Sequence, residues 1–249
     1  MKISAVIIAR NEEDQIKDCI KTLAFADEVI VIDNGSKDKT AEVAAKMKAK
    51  IFSVSGLDFS YLRNVGKEKA GGEWLFYIDT DERVSEELAK EIEKTVKTEK
   101  KSVAFDIIRQ NYFFGKLWPK KEQLVRLMKK EALLGWQGSV HESPIVTGKI
   151  GQLENPLLHY THSDLTGMVK KTNEWSEIEA QLRFKNNHPR VSWWRIFRVM
   201  FSSFWQSYVT DGGWQVGTTG LIESIYQSFS TFITYAKLWE KQNNRMQKC

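Results

Sequence analysis

Three carboxylates stand within four positions at Asp79-Thr80-Asp81-Glu82, directly after the apolar run Trp74-Leu75-Phe76-Tyr77-Ile78. A short apolar run behind Gly71-Gly72 predicts a buried central strand. Asp79 and Asp81 are two apart, so on an extended chain their side chains would share one side. Carboxylates so placed repel unless a cation lies between them. Hard oxygen donors at this spacing suit Mg²⁺ or Mn²⁺ that also holds a substrate diphosphate. A plainer reading makes Asp81 and Glu82 the acidic start of the helix predicted from Ser85 to Lys97, favoured there by the helix dipole.

The elements that must position these groups come in alternation. Ile3 to Ala9 reads as a strand, Glu12 to Phe25 as a helix with Ile16, Cys19, Ile20 and Leu23 on one face, and Glu28 to Ile32 as a second strand. A helix from Thr40 to Lys48, which Ser36 or Asp38 can cap, precedes a strand from Ile51 to Val54; Arg63 to Ala70 is helical again. Such alternation implies βαβ units and a parallel sheet, with ligands bound beyond the carboxyl ends of the strands. Those ends carry Arg10-Asn11, Asp33-Asn34-Gly35-Ser36 and Asp79-Thr80-Asp81, so three polar clusters should converge on one edge. Asp33 offers an acceptor to a base or ribose, or equally starts a turn. Neither GxGxxG nor GxxxxGK[ST] occurs, which removes support for dinucleotide and P-loop binding.

Downstream, Ser102 to Gln110 and Glu122 to Lys129 read as strands, the second carrying Arg126 among apolar neighbours, and Asn111 to Pro119 reads as aromatic and irregular. Three of the four histidines fall in two clusters, Trp136-Gln137-Gly138-Ser139-Val140-His141-Glu142 and His159-Tyr160-Thr161-His162. From Leu165 the pattern turns helical: Leu165 to Phe184, then Ser192 to Val209, then Leu221 to Trp239 after the turn Asp211-Gly212-Gly213. In Ser192 to Val209 only Arg195, Arg198, Ser202 and Gln206 make a narrow polar stripe, and the remainder is nearly all apolar or aromatic. Trp and Phe beside Arg and Lys is the composition of a helix lying in a membrane interface; packing on the domain or on a second chain, as in a homodimer, is the alternative.

The 249 residues, 42% of them apolar, suffice for one large domain with an elaboration. A net charge of +5 suits phosphorylated substrates or an anionic membrane surface, and no nucleic-acid motif accompanies it. The two cysteines, Cys19 and Cys249, suggest no disulfide framework. The opening Met1-Lys2-Ile3-Ser4-Ala5-Val6-Ile7-Ile8 is too short for a signal peptide, and no run of 18 or more uncharged apolar residues occurs. The expected location is therefore cytoplasmic, peripheral on the inner face of the cytoplasmic membrane.

Taken together, these stretches resemble family 2 glycosyltransferases of the GT-A fold. The resemblance runs through Val6-Ile7-Ile8-Ala9-Arg10-Asn11-Glu12-Glu13, Val29 to Thr40, Phe59-Ser60-Tyr61-Leu62-Arg63-Asn64 and Glu73 to Glu82. Trp136 to Glu142 and Tyr235-Ala236-Lys237-Leu238-Trp239-Glu240 are similar to the bacterial subgroup that includes lipopolysaccharide-core β-1,4-glucosyltransferases. The resemblance implies a Rossmann-like, mostly parallel α/β sheet flanked by helices over residues 1–164, followed by an amphipathic helical region over 165–249. It implies inverting transfer of a hexose, glucose foremost, from a nucleotide diphosphate sugar, UDP-linked foremost, to an acceptor hydroxyl of a glycan or glycolipid. Ala9, Arg10, Asn11, Glu13, Asp33, Ser36, Arg63, Asp79 and Thr80 would then line the donor-nucleotide site. Asp81 with Asp79, and His159 or His162, would serve the divalent metal, His159 being favoured. Glu142 matches the general-base position, where the family more often has Glu-Asp than His-Glu, with His141 in reserve. Arg126 and Trp136 are assigned to the acceptor or phosphate side. Two other readings compete: a nucleotidyltransferase, which would carry a Gly-rich basic loop after the first strand, and a non-catalytic membrane adaptor, which would leave the carboxylates unexplained.

Overall fold

The computed structural model describes residues 2–56, 58–138, 142–161 and 164–246. His141 and His162 lie outside the described residues.

Four parallel strands open the sheet: β1 (Ile3–Ala9), β2 (Glu28–Asp33), β3 (Lys50–Ser53) and β4 (Trp74–Asp79), in the order β3-β2-β1-β4. Every residue of β1 is buried, because the sheet is covered on both faces. Alternate residues divide between two cores. Ile3, Ala5, Ile7, Trp74, Phe76 and Ile78 pack with α1 (Ile16–Lys21) and α4 (Glu86–Thr98), while Val6, Ile8, Leu75 and Tyr77 pack with α3 (Phe59–Lys69). α2 (Thr40–Lys46) lies between β2 and β3 in the chain.

Beyond β4 the sheet becomes mixed. β5 (Glu82–Val84), β6 (Ser102–Phe113), β7 (Lys116–Lys129), β10 (Lys149–Gln152) and β11 (Leu157–Thr161) extend it, with β7 antiparallel to β4 and β11 antiparallel to β5. β8 (Leu133–Gln137) and β9 (Ser143–Val146) pair separately. The α/β sheet flanked by helices, with helices following it, is the architecture the sequence predicts.

Three local readings are corrected. Asn111 to Pro119 is ordered as the ends of β6 and β7 and the turn between them. Phe114 and Gly115 both take left-handed backbone, φ +48° and +71°, which is what a two-residue hairpin turn requires. The first helix starts only at Ile16, because Asn11 is also left-handed (φ +55°) and Glu12 to Gln15 form a turn. The acidic cluster does not open a helix: α4 begins at Glu86, with the Ser85 side chain accepting the Leu88 N–H at 3.2 Å.

The chain divides into two compact units, Met1–Gln110 with Lys121–His159, and Asn111–Lys120 with Tyr160–Cys249. The hairpin end thus groups with the C-terminal helices, where a single boundary after residue 164 was expected. In the second unit α5 (Leu165–Lys185), α6 (Trp193–Trp205) and α7 (Thr218–Met246) enclose Ala180, Val191, Val199, Tyr235 and Leu238. A π-helical turn, Gln206–Thr210, follows α6.

Two features of the first unit set its stability. A Cβ on Gly66 would lie 2.4 Å from Val6 Cγ1, so α3 approaches β1 through a missing side chain. Gly66→Ala should therefore cost about 1–3 kcal/mol in denaturant unfolding. It should cost less in a Val6→Ala background, as a double-mutant cycle would read. Glu28 accepts from Ser4 Oγ and the Gly71 N–H, each at 2.6 Å, and from Lys50 Nζ at 2.6 Å. Burial alone would raise its pKa, but Lys50, Ser4 and Gly71 outweigh burial and lower it to about 2. A depressed folded-state value means that the unfolded chain takes up the proton first. The stabilisation is present above 4.5 and is lost as pH falls toward about 2. Urea unfolding of Glu28→Gln should show a flatter acid limb than the parent across that window.

Candidate active site

The β4 run delivers Asp79 to the carboxyl edge of the sheet, and strand register places two further groups beside it. Ala9 pairs with Asp33, and Ile8 pairs with Asp79, so the ends of β2, β1 and β4 align. The predicted convergence on one edge is thus present. Asp79 is the last residue of β4, so the extended chain assumed for Asp79 and Asp81 ends there. Thr80 and Asp81 form a turn into β5, and the two carboxylates go to different partners.

Asp79 is held by two arginines. Arg63 Nη2 donates to its Oδ1 at 2.9 Å and Arg126 Nη2 to its Oδ2 at 2.6 Å. Burial opposes ionisation of Asp79, yet Arg126 and Arg63 win and hold its carboxyl far below the usual range. Burial likewise opposes the Arg126 charge, but Asp79 and Glu82 hold that guanidinium firmly protonated. Both Asp79 oxygens are thus engaged by guanidinium groups of the protein.

The ion pairs continue in both directions. Arg126 Nη2 also reaches Glu82 Oε1 at 2.9 Å, Arg109 Nη1 reaches the same oxygen at 3.0 Å, and Arg109 Nε reaches Glu122 at 2.8 Å. On the other side Arg63 Nε donates to Glu142 Oε1 at 2.8 Å. Charges therefore alternate along Glu142, Arg63, Asp79, Arg126, Glu82, Arg109 and Glu122. Glu82 is fully buried, and its Oε2 accepts the Asp79 N–H at 2.9 Å, which closes the turn. Arg63 also lies over the Trp136 ring, 4.8 Å from its centroid, and its Nη1 is buried with no hydrogen-bond partner among the described residues.

Asp81 meets His159, with Oδ2 3.3 Å from Nε2. The pairing of β11 with β5 sets this contact, because His159 stands opposite Glu82 in the ladder. A carboxylate beside an imidazole is a donor set compatible with Mn²⁺ or Mg²⁺. Among the described residues no group of three or more His, Cys, Asp and Glu could hold a metal by itself. These two side chains would need oxygens from a substrate or water to complete a site.

Several other residues expected at the site bond to groups within the chain. Asn11 donates its N–H to Ser36 Oγ at 3.0 Å, and its Oδ1 accepts the Lys37 N–H at 2.8 Å. Glu13 Oε2 accepts the Lys39 N–H at 2.8 Å, so these side chains lace the two loops together. Asp33 is buried at the strand end and its Oδ1 accepts the Ser36 N–H at 3.3 Å; Ala9 and Thr80 are buried, and Arg10 is exposed. Arg126 is buried against the Asp79 and Glu82 carboxylates, and Trp136 is a buried ring beneath Arg63.

Sequence reasoning missed Glu82, Arg109 and Asn64. Asn64 Oδ1 accepts the Trp136 N–H at 2.8 Å and pins β8 to α3. Arg109 and Arg126, standing within strand patterns, were a usable signal, since a buried arginine requires a carboxylate.

Residues 4–202 match the family described as Glycosyl transferase family 2. The chain belongs to this family. It is a glycosyltransferase, and the match favours neither the nucleotidyltransferase nor the adaptor reading. The lipopolysaccharide core biosynthesis glycosyltransferase LpsC of Rhizobium meliloti is 24% identical, over 97% of this chain and 93% of that one. An uncharacterised glycosyltransferase of Rickettsia conorii is 27% identical, over 96% and 90%. The solved structure of S. aureus TarS residues 1–349 with UDP-GlcNAc superposes with a TM-score of 0.46 at 12% identity, covering 98% and 92%.

In this glycosyltransferase, Arg126→Met removes one of the two arginines from each of Asp79 and Glu82, leaving Arg63 and Arg109 as their remaining cations. It should cost about 3–5 kcal/mol in chemical unfolding, well above the cost of removing a surface pair.

Proposed function

We propose that this glycosyltransferase moves a hexose, glucose, with inversion from a UDP-sugar to a hydroxyl of a lipopolysaccharide-core or related cell-envelope glycan. The observation that carries this reading is the alignment of Asp33, Asp79 and the Asp81–His159 pair along one sheet edge. The likeness to LpsC over nearly the whole chain supports the acceptor class.

In this reading Asp33 accepts from the nucleobase, and Asp79, fixed by its two arginines, accepts from the ribose. Asp81 and His159 would hold a divalent cation, which would supply charge neutralisation for the departing diphosphate. Glu142 takes the proton from the acceptor hydroxyl as that oxygen bonds to the anomeric carbon. The bond from this carbon to the diphosphate oxygen breaks on the opposite face, its electron pair leaving with the nucleotide, and the configuration inverts. No covalent sugar–enzyme intermediate is needed. Arg63, through Nε, orients the Glu142 carboxylate. The C-terminal helices form the side that meets a membrane-borne acceptor, at the cytoplasmic face of the membrane.

Glu142→Gln keeps an oxygen for Arg63 but cannot take a proton. Turnover should fall by about 10²–10⁴ with the melting temperature nearly unchanged, and near-normal transfer would remove Glu142 as the base. UDP with Mn²⁺ should raise the melting temperature of the parent, and Asp81→Asn should abolish the metal-dependent part of that shift. Release of pyrophosphate in place of UDP would overturn the reaction class.

A further inference from the structure

The most prominent feature left unused by the chemistry is the outer face of α6. Trp193, Phe197, Phe201 and Trp205 recur at every fourth position and are 76%, 67%, 66% and 52% exposed. Their rings touch along the helix, Trp193 with Phe197 at 6.5 Å and Phe201 with Trp205 at 6.0 Å between centroids. Large aromatic side chains in an exposed row mark an interaction surface.

The charges around the row indicate the partner. From Arg183 to Thr210 the chain carries Arg183, Lys185, Arg190, Arg195 and Arg198 and no acidic residue. The Arg195 and Arg198 guanidiniums lie 5.6 and 5.8 Å from the Trp194 ring, which places cations at the border of the aromatic row. No described helix is long and apolar enough to cross a membrane, so a membrane contact through α6 would be interfacial. Tryptophans at both ends of the row suit the headgroup level of a bilayer. A symmetric pairing of two copies through this face would bring together two copies of a segment whose residues 184–210 carry cations and no acidic residue.

We propose that α6 is an interfacial anchor that docks this face on an anionic phospholipid bilayer, its aromatic row entering the headgroup boundary while Lys185 and Arg198 meet lipid phosphates. This deepens the membrane-side reading given above, but its test needs neither donor nor acceptor.

The experiment is co-sedimentation of the full chain with phosphatidylcholine vesicles, and with vesicles that also contain phosphatidylglycerol. Binding should be at least roughly tenfold tighter to the anionic vesicles and should weaken with salt. Phe197→Ser with Phe201→Ser should lower binding to both vesicle types while leaving the UDP-dependent thermal shift intact, since neither side chain is buried. Lys185→Gln with Arg198→Gln should remove the preference for anionic vesicles. The proposal is overturned if the parent stays in the supernatant with both vesicle types, if the phenylalanine variant binds like the parent, or if the parent shows no anionic preference. It is equally overturned if the parent is a dimer that binds no vesicle and the phenylalanine variant is a monomer. A missing nucleotide shift with intact vesicle binding would count against the donor reading alone.

Discussion

The site depends on one constraint: Asp79 must remain ionised at the end of a buried strand. Burial acts against that charge, and Arg63 and Arg126, coming from α3 and β7, overcome it. Each arginine is itself buried and needs more than one carboxylate, so Glu142, Glu82 and, through Arg109, Glu122 are drawn in. An isolated buried pair is weak support for stability, because desolvation offsets attraction. An alternating series in which most members touch two opposite charges fixes geometry instead. It ties a helix, a turn, two long strands and the loop bearing Glu142 to one carboxylate.

That arrangement separates tasks that a simple pair of carboxylates would share. Asp79 faces inward to cations supplied by the protein, whereas Asp81 lies across the turn against His159. Glu82 makes the separation rigid, since its one carboxylate caps the Asp79 N–H and binds two arginines. The proposed donor site is therefore preorganised by groups that need not touch the donor, which limits reorganisation during the reaction. The loops after β1 and β2 follow the same plan: Asn11, Ser36 and Glu13 use their hydrogen bonds on one another's backbone and hold Asp33 at the edge.

The helical unit obeys a different physics. Its interior is small, and polar groups join the helices, as where Ser207 meets Ser224 at 3.0 Å and Tyr226 bonds Thr172 and the Met168 carbonyl. Ala180, Val191, Val199, Tyr235 and Leu238 fill its apolar interior, and Trp193, Phe197, Phe201 and Trp205 of α6 stay exposed.

Much of this was legible in the residues themselves. The runs Ile3 to Ala9 and Trp74 to Ile78, the alternation of strands and helices, and the polar strand ends determined an α/β sheet with a site on its carboxyl edge. Periodicity and burial are local properties of the pattern, so the chain declares them directly. The sequence motifs also sufficed for family membership. Which partner each charge takes was decided by tertiary structure alone. Asp79 and Asp81 are two apart in the chain, yet Asp79 takes Arg126, 47 residues downstream, and Asp81 takes His159. His159 gained its meaning from a ladder register with Glu82 that no local pattern encodes. Coulombic choice depends on distances set by long-range strand pairing, and such distances exist only once the chain has folded.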